Sequence, residues 1–433
     1  MEMHIIDFTI RNFKSYKDEA IFTFEALNDD FKPDNVFKVK LEDGSSIRLL
    51  KSAALYGANA AGKSNVIWAM KCLAFFVTNS RNFPVGYKIP FEPFKLDGNS
   101  DDTSFSLRFI IRNRIYKYSI SYNENGFTDE VLSFFENNIE KKVFFKQLDK
   151  FSIGDGWESS NFDISHFDDT RFSLLSHHLL LSELAIKPQN QLQDIYSAIS
   201  GIIVEPVLNN FNLRAKNIEA SRDILKNQES VMFKQLGKLM SIADLGIVGL
   251  EMNRHGDEEF QFPDSIPAEI KEQFIEENRW EFKTLHKTKT SQIISFPLEI
   301  ESTGTQNMFS LGSIVLKVLS EGGFLAYDEM DIAVHPQLFK LLISLFHSPI
   351  SNPLNAQILF TTHNTIIVNE TEGILRADQI WFAEKNPFGE SSLFSAQDFD
   401  NISITVPFER WYRQGRFGAM PNIGNFTEIF NQS

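Results

Sequence analysis

Apolar and polar residues alternate along the first fifty positions, and this pattern predicts β-strands near residues 5–10, 21–24 and 47–50. A short apolar run at 53–56 ends in glycine, and apolar residues then recur at helical spacing over 65–77. The beginning of the chain therefore predicts a strand, a glycine loop and a helix in direct succession.

The remainder of the chain falls into differently patterned stretches. Residues 105–145 alternate like the strands of hairpins, 174–245 follow a helical pattern, and 251–289 are polar without a clear period. From residue 295 onward, strands are expected at 296–300, 323–327 and 356–361, and helices at 307–319 and 337–346. The pattern predicts an α/β fold in three segments: an N-terminal part at 1–170, a mainly helical insertion or lid at 171–290, and a C-terminal part at 291–433. The N- and C-terminal parts are expected to form one α/β body, with the middle segment inserted between them in sequence.

Composition narrows the classes of function. Lys and Arg number 42 against 57 Asp and Glu, so the net charge is 42 − 57 = −15. This balance argues against a protein that coats nucleic acid through bulk positive charge. The single cysteine, Cys72, excludes a disulfide framework and a cysteine-ligated zinc module, and the 42 phenylalanines are expected to fill the core. No apolar run approaches the length of a membrane span, so we expect a soluble, cytoplasmic protein.

The glycine loop carries the clearest chemical signal. Residues 57–64 have the sequence Gly-Ala-Asn-Ala-Ala-Gly-Lys-Ser, which matches the P-loop pattern. Gly57 and Gly62 would let the backbone turn so that successive N–H groups face a phosphate. Lys63 would reach the β- and γ-phosphates of ATP, and Ser64 would hold Mg²⁺ through its hydroxyl. The alternative is a glycine-rich turn before a helix with a surface lysine.

Two strands in the C-terminal part end in polar residues. The strand at 323–327 leads into Asp328 and Glu329. Asp328 would hold the Mg²⁺ shell, and Glu329 would orient and polarise the attacking water. The strand at 358–361 leads into His363, whose imidazole would contact the γ-phosphate. The alternatives are an acidic turn for the first strand and an ordinary polar turn residue for the second.

A fourth segment, residues 301–306, stands just before a predicted helix. Ser302 and Gly304 lie in it and could contribute to an anion site at the helix N-terminus. The alternative is that Ser302 or Thr305 simply caps the helix.

The order of these motifs resembles that of ABC-type ATPase heads. The opening sequence at 10–16, Ile-Arg-Asn-Phe-Lys-Ser-Tyr, is similar to the first strand of the SMC, recombination-repair and RecF-like branch. Residues 302–305, 328–331 and 335–336 are similar to motifs of small ATPases related to the overcoming-lysogenization-defect (OLD) nucleases, which occur in abortive-infection and PARIS-type anti-phage systems. Residues 378–382, Tyr412 and 415–421 resemble C-terminal motifs of the same group.

The resemblance implies an ABC-type P-loop ATPase head that uses ATP and Mg²⁺. Ser302 and Gly304 of one subunit would close over ATP held by another, so a homodimer would be the minimal unit and larger oligomers could form. Glu329 would drive the attack of water, while Asp331 and His363 would link hydrolysis to the interface. Further nucleotide-binding positions implied in this way are Asn12, Lys14, Asn59 and Asn65.

The sequence also departs from the family pattern. Gln306 stands where transporter-like heads have glutamate, and Gln147 and residues 91–94 are both candidates for the Q-loop. No heptad seam long enough for a coiled-coil arm is visible. The residues after Thr361 are expected to lack the acidic cluster of a fused Toprim nuclease.

Three functions therefore remain open. The first is a sensor or regulator of a separately encoded effector, such as a nuclease, in phage defence. The second is a DNA-repair or DNA-end-binding ATPase, for which Arg108, Arg112, Arg114 and Lys117 form the visible basic cluster, although these residues equally fit a solvated hairpin face. A nucleotide-gated scaffold is a third alternative. The apolar residues Leu179, Leu180, Leu181, Leu184 and Ile186 could face a partner or lie in an ordinary buried helix. His177 and His178 lack a third metal ligand nearby.

Overall fold

The computed structural model describes residues 2–84, 86–98, 101–148, 150–154, 176–185, 191–205, 230–243, 246–263, 265–332, 334–369, 373–399 and 408–416. The chain divides into two compact units. The first comprises Met1–Glu205, Glu321–Met330 and Ile343–Ser433, and the second comprises Pro206–Ser320 and Asp331–Leu342. Two predicted features lie partly outside the described residues: residues 417–421 of the C-terminal motif, and Ile186 of the apolar set at 179–186.

The described strands are β1 (His4–Arg11), β2 (Ala20–Thr23), β3 (Val36–Lys40), β4 (Ser46–Leu50), β5 (Ser52–Tyr56), β6 (Thr103–Ile111), β7 (Arg114–Asn123), β8 (Gly126–Glu136), β9 (Ile139–Gln147), β10 (Lys150–Ile153), β11 (Ile203–Glu205), β12 (Ile247–Arg254), β13 (Trp280–Lys287), β14 (Ile293–Pro297), β15 (Phe324–Tyr327), β16 (Gln357–Thr361), β17 (Ile380–Lys385) and β18 (Ser391–Ser395). The described helices are α1 (Lys63–Asn79), α2 (Leu180–Leu184), α3 (Gln191–Ser200), α4 (Val231–Ala243), α5 (Ala268–Asn278), α6 (Thr303–Glu321), α7 (Pro336–His347) and α8 (Phe408–Arg413).

The first unit contains an antiparallel sheet of seven strands in the order β10-β9-β8-β7-β6-β1-β2. Its side chains alternate between a buried and a partly exposed face, as β7 illustrates: Tyr118, Ile120 and Tyr122 are buried, whereas Ser119 and Ser121 are partly exposed. The hairpins expected at 105–145 are present. A small two-stranded sheet, β3-β4, covers Ile6 and Ile110.

The second sheet of this unit has the order β11-β15-β16-β5-β17-β18 and is parallel except for β18. All residues of β5 and β16 are buried, which explains their continuous apolar runs. Because parallel strands end at the same edge of a sheet, the residues that follow β5, β15 and β16 are brought together. The predicted α/β class is confirmed.

Helix α1 packs between these two sheets. Its apolar residues, among them Val66, Met70 and Phe76, belong to one core cluster with Tyr122 of β7 and Leu359 of β16. The rings of Phe76 and Tyr122 meet edge to face, with centroids 5.0 Å apart. The core therefore fixes α1, whose first residue is the P-loop lysine. Fully buried phenylalanines fill this core, as expected; examples are Phe8, Phe13, Phe22, Phe24, Phe76, Phe105 and Phe109.

The leucines near residue 180 are also part of this core. Leu179, Leu180 and Leu181 have no exposed surface, and Leu184 is buried as well. Of the two readings of these four residues, the ordinary buried one is confirmed, so they do not offer a surface to a partner.

The second unit contains the sheet β12-β13-β14 and helix α4, and most of α6. Phe282 of β13 packs on Phe309 of α6 with ring centroids 5.0 Å apart. A Cβ on Gly312 of α6 would come within 2.8 Å of Leu239, so glycine allows α4 to approach closely. The expected strand at 296–300 is displaced: β14 ends at Pro297, which has no N–H to continue a ladder, and a 3₁₀ turn follows.

Candidate functional site

The loop between β5 and α1 has a conformation that requires glycine at two positions. Gly62 has φ +113°, and a Cβ there would lie 2.7 Å from the hydroxyl oxygen of Ser391. A Cβ on Gly57 would lie 2.4 Å from the carbonyl oxygen of Ala383. Asn59 is exposed on the loop between them. The two predicted P-loop glycines therefore fit this close packing for steric reasons.

Lys63 is the first residue of α1, and its side chain folds back over the loop. The Lys63 ammonium donates hydrogen bonds to the carbonyl oxygens of Gly57 at 2.8 Å and Ala58 at 3.1 Å. A helix N-terminus favours anions, and a lysine beside it adds a full positive charge. This arrangement suits the binding of phosphate groups.

Ser64 and Asp328 meet beside the loop. The Ser64 hydroxyl donates to Asp328 Oδ1 at 3.1 Å, and the Thr361 hydroxyl donates to the same oxygen at 2.6 Å. Asp328 is only 1% exposed, and its Oδ2 has no hydrogen-bond partner among the described residues. A buried carboxylate oxygen without a partner is costly, and a hydroxyl next to a carboxylate supplies the oxygen ligands that Mg²⁺ prefers. The two residues predicted to bind Mg²⁺ therefore fit that ion.

Glu329 adopts a left-handed backbone with φ +53°, which is unusual for a residue other than glycine. Its N–H donates to the Thr361 hydroxyl at 2.7 Å, and the next N–H, that of Met330, donates to the Thr361 carbonyl at 3.1 Å. The side chain of Glu329 is exposed. The turn thus separates the buried Asp328 from the accessible Glu329, and strained backbone of this kind is frequent at functional sites.

His363 is exposed two residues beyond the end of β16. The loop that carries it is tied to β5, because the Thr362 N–H donates to the Leu55 carbonyl at 3.3 Å and the Tyr56 hydroxyl donates to the Asn364 carbonyl at 2.9 Å. These two hydrogen bonds therefore tie the loop that carries His363 to β5, the strand that leads into the P-loop.

Sequence reasoning missed a hydroxyl network that supports the P-loop. Ser15 Oγ accepts hydrogen bonds from Asn65 Nδ2 and Ser391 Oγ, both at 2.7 Å, and Ser391 also contacts the Ala61 carbonyl at 2.7 Å. The buried Tyr16 hydroxyl donates to the Gly62 carbonyl at 3.2 Å, and burial raises its pKa. The only signal for this network was the position of Ser15 and Tyr16 within the opening motif.

Asn12 and Lys14 are placed differently from each other. The Asn12 side-chain oxygen accepts from the Phe94 N–H at 3.0 Å, and its amide donates to the Asp101 carbonyl, so it holds neighbouring backbone. The Lys14 ammonium pairs with Glu92 at 3.1 Å and lies 5.0 Å from the ring centre of Trp68 on α1. A role for either in nucleotide binding stays a prediction.

Lys14 also lines a cleft of about 370 Å³ beside the start of α1, together with Ser15, Asn65, Glu92, Pro93, Phe94, Lys95, Leu96, Lys385 and Gly389. Of the two Q-loop candidates, the 91–94 stretch therefore contributes to this cleft, through Glu92, Pro93 and Phe94. Gln147 is exposed at the end of β9.

The C-terminal helix α8 contributes an aromatic contact to the same region. Tyr412 stacks on Phe382 with ring centroids 6.0 Å apart and packs against Tyr56 at 5.4 Å. Burial raises the pKa of Tyr412, while a hydrogen bond from the Gly57 N–H opposes that rise. Tyr412, noted from the sequence only by resemblance, thus contacts the P-loop.

The second unit holds Ser302, Gly304 and Asp331. Ser302 caps α6: its hydroxyl oxygen accepts from the Thr305 N–H at 3.1 Å. Ser302 is exposed, Gly304 in the first turn is half-buried, and Asp331 is half-buried just before α7. The capping alternative for Ser302 is confirmed, and the exposed helix start remains compatible with an anion site.

Other candidate sites carry no comparable chemistry. No group of three or more potential metal ligands occurs among the described residues. His178 is buried and contacts Glu183 at 2.9 Å and the Phe83 carbonyl at 3.0 Å. Burial raises the pKa of the Cys72 thiol to about 12.

Across the portions of the chain that the structure describes, no helix is long and apolar enough to cross a membrane.

The predicted basic cluster is largely neutralised. Arg108 pairs with Asp7 and Glu25, Arg112 pairs with Asp194 at 2.6 Å, and Arg114 pairs with Glu42 at 2.7 Å. Three of its four cations thus have carboxylate partners, which weakens their attraction for nucleic-acid phosphates.

One protein family matches most of the chain. Its model covers residues 52–369 and is described as "AAA domain, putative AbiEii toxin, Type IV TA system". The matched region runs from the start of β5 past His363, and it includes the P-loop, the Asp328-Glu329 pair and the Ser302 segment. No curated protein matches the sequence at a significant level.

Solved structures similar to this chain include SMC heads. The SMC head domain from Thermotoga maritima has a TM-score of 0.41 and 12% identity, with 90% of this chain and 98% of that chain covered. The head with a coiled coil and joint from Pyrococcus yayanosii has a TM-score of 0.45 and 10% identity, with 95% and 99% covered. A head from Pyrococcus furiosus, bound to the C-terminal domain of ScpA, has a TM-score of 0.40 and 10% identity, with 96% and 99% covered.

Proposed function

The chain belongs to the AAA-domain family whose model matches residues 52–369, and from that premise we propose that it binds ATP with Mg²⁺ and hydrolyses it to ADP and phosphate. The observation that carries the proposal is the junction of Ser64, Asp328 and Thr361 beside the P-loop lysine. A phosphate-binding loop and a carboxylate suited to Mg²⁺ meet there at the ends of parallel strands.

The proposed chemistry divides among a few side chains. Lys63 and the N–H groups at the start of α1 bind the phosphates. Ser64 and Asp328 hold Mg²⁺, which neutralises phosphate charge when bound. Glu329, exposed on its strained turn, orients a water molecule and accepts its proton, and His363 contacts the terminal phosphate. Phosphoryl transfer needs mainly positioning and charge stabilisation, and these groups supply both.

We further propose that the active form is a dimer or larger oligomer. In this arrangement the exposed start of α6, with Ser302 and Gly304, covers nucleotide bound at the P-loop of another subunit, and Asp331 lies at the interface. The support is the family resemblance together with the exposure of Ser302. Asn59, exposed on the loop, and Asn12, Lys14 and Asn65 are proposed as further contributors to the nucleotide site.

For the output of the ATP cycle we favour a separately encoded effector protein, such as a nuclease, in anti-phage defence. The family description, which refers to a toxin–antitoxin system, points in this direction. The acidic net charge of −15 and the carboxylate partners of Arg108, Arg112 and Arg114 make direct binding to DNA the weaker alternative.

The test is to measure ATP hydrolysis by the purified chain with and without Mg²⁺, and then to co-purify it with the product of the adjacent gene. We expect Mg²⁺-dependent release of phosphate, and partner binding that changes when Lys63→Ala removes nucleotide. Turnover that is absent in the wild type at all protein concentrations would refute the ATPase proposal. Salt-dependent DNA affinity that disappears when Arg108, Arg112, Arg114 and Lys117 are reversed in charge would favour the DNA-binding alternative.

A further inference from the structure

The side chain of Glu301, the residue just before Ser302, is held by side chains from β13. Glu301 Oε1 accepts a hydrogen bond from His286 Nε2 at 2.8 Å and another from the Thr284 hydroxyl. Thr284 and His286 are two residues apart on β13 and therefore share one face of the strand. Because a carboxylate only accepts hydrogen bonds, His286 carries its proton on Nε2 in this contact.

A second set of contacts, from the helix side, fixes the backbone of residues 299–301. The Gln306 side-chain amide donates to the carbonyl oxygens of Glu299 and Glu301, both at 2.9 Å. Gln306 is 2% exposed. Its two N–H donors can satisfy two acceptors at once, which a glutamate at this position could not do. The departure from the transporter-like pattern at residue 306 thus has a structural function.

The ring of His286 is itself held in place. Phe296 of β14 packs edge to face on it, with ring centroids 5.2 Å apart. The Thr284 hydroxyl lies 3.2 Å from His286 Nε2, and Thr284 has no exposed surface. The imidazole therefore has little freedom to leave Glu301, and a fixed donor positions its acceptor more exactly than a mobile one.

We propose that His286, acting through Glu301, and Gln306 are positioning residues that fix the Ser302–Gly304 turn for its action on nucleotide. The inference rests on the proposed function of Ser302 and Gly304, and it adds the residues that hold them. Their loss should lower the rate of turnover and leave the binding of ATP at Lys63 and Ser64 unchanged.

The experiment compares His286→Ala, His286→Gln and a matched control, His255→Ala. His255 forms a similar contact in the same unit, 2.7 Å from Glu259, and its other side-chain partners are Glu281 and Phe260. For each variant, kcat and KM for ATP are measured, together with the Kd of a fluorescent ATP analogue. We expect kcat of His286→Ala to fall roughly tenfold while Kd stays within about twofold of the wild-type value.

The other variants decide between positioning and general stability. His286→Gln retains an N–H donor toward Glu301 and should recover most of the rate, and His255→Ala should match the wild type. A kcat of His286→Ala equal to that of His255→Ala would overturn the proposal, as would a parallel loss of ATP binding or a failure of glutamine to restore the rate.

A second variant covers the case in which His286→Ala does not fold. Glu301→Gln preserves side-chain shape and weakens the contact with His286, so it should lower kcat without changing Kd. An unchanged kcat would contradict the proposal.

Failure of the proposed ATPase function can be distinguished from failure of the positioning role. Absence of turnover in the wild type refutes the ATPase function, whereas turnover that is insensitive to residues 286 and 301 refutes only the positioning.

Discussion

The hydroxyl of Thr361 donates a hydrogen bond to Asp328 Oδ1 at 2.6 Å. The same hydroxyl accepts the Glu329 N–H at 2.7 Å, so a single side chain fixes both members of the acidic pair. This bond joins the ends of β16 and β15, which are neighbours in the parallel sheet. We infer that Thr361 orients Asp328 toward Ser64 and holds Glu329 in its left-handed turn.

The first prediction follows from this contact. Thr361→Val keeps the shape of the side chain and removes the hydroxyl, so Asp328 loses a short bond and Glu329 loses its N–H partner. A hydrogen bond to a charged group contributes about 1.5–3 kcal/mol, so we expect kcat for ATP to fall by roughly ten- to a hundredfold. Thr361→Ser restores the hydroxyl and should retain most of the rate. Equal rates for the valine and serine variants would contradict this role.

The second prediction concerns Glu329. Glu329→Gln preserves size and hydrogen bonding but cannot accept a proton, and general-base catalysis contributes about 10²–10⁴-fold. We expect this variant to bind ATP like the wild type, to hydrolyse it at least a hundredfold more slowly, and to accumulate as a closed dimer in size-exclusion chromatography with ATP.

The matched control is Glu384→Gln, which changes an exposed glutamate on β17. It should leave both turnover and oligomeric state unchanged. Near wild-type turnover by Glu329→Gln would show that another group activates the water.

The third prediction uses the close packing of the P-loop. In Gly62→Ala the new Cβ would lie 2.7 Å from Ser391 Oγ and 3.0 Å from Ser15 Oγ, at a φ of +113°. The loop must shift, so we expect affinity for ATP to fall by more than about tenfold. Gly44→Ala is the control, because Gly44 also has positive φ, +84°, but has open space around it. The control should lose about 1 kcal/mol of stability at most and keep its affinity. Equal ATP affinities for the two variants would contradict the packing argument.

The elements of the parallel sheet could be predicted because each carries a local signal. The run at 53–56, the glycine loop and the helix after it appear as β5, the P-loop and α1, with the helix two residues longer at each end. The P-loop lysine and the Asp328-Glu329 pair could be identified because they directly follow buried apolar strands.

The supporting contacts could not be predicted in this way. Ser15, Ser391 and Thr361 act through bonds to residues that are distant in sequence, and no local pattern identifies such partners. The polar stretch at 251–289 is a similar case: β12 and β13 pair with each other across a long connection, so a search for local periodicity does not detect them.

The fourth prediction concerns pH. His347 is buried, its ring contacts the Ser52 hydroxyl at 2.7 Å, and burial lowers its pKa from 6.5 to about 3. Between these values the unfolded chain binds a proton that the folded chain does not, so the free energy of unfolding falls as the pH falls from about 6.5 toward 3. The contribution of such a group to this slope reaches about 1.4 kcal/mol per pH unit.

Replacing His347 by asparagine should flatten this dependence, measured by urea unfolding at a series of pH values. His4, whose pKa is lowered to about 4 by burial, should account for part of the remaining slope. An identical slope in the wild type and His347→Asn would show that the imidazole does not remain neutral in the folded state.

The fifth prediction tests whether Ser302 acts on nucleotide bound by another subunit. Lys63→Ala should lose ATP binding at its own P-loop, and Ser302→Ala should lose the group that covers the nucleotide, so each variant alone should have little activity. In an equal mixture that exchanges subunits freely, half of the dimers are mixed, and each of these has one complete site. Turnover should therefore recover to about a quarter of the wild-type rate. Action of Ser302 within its own chain would instead leave the mixture as inactive as the separate variants, because no chain would carry both groups.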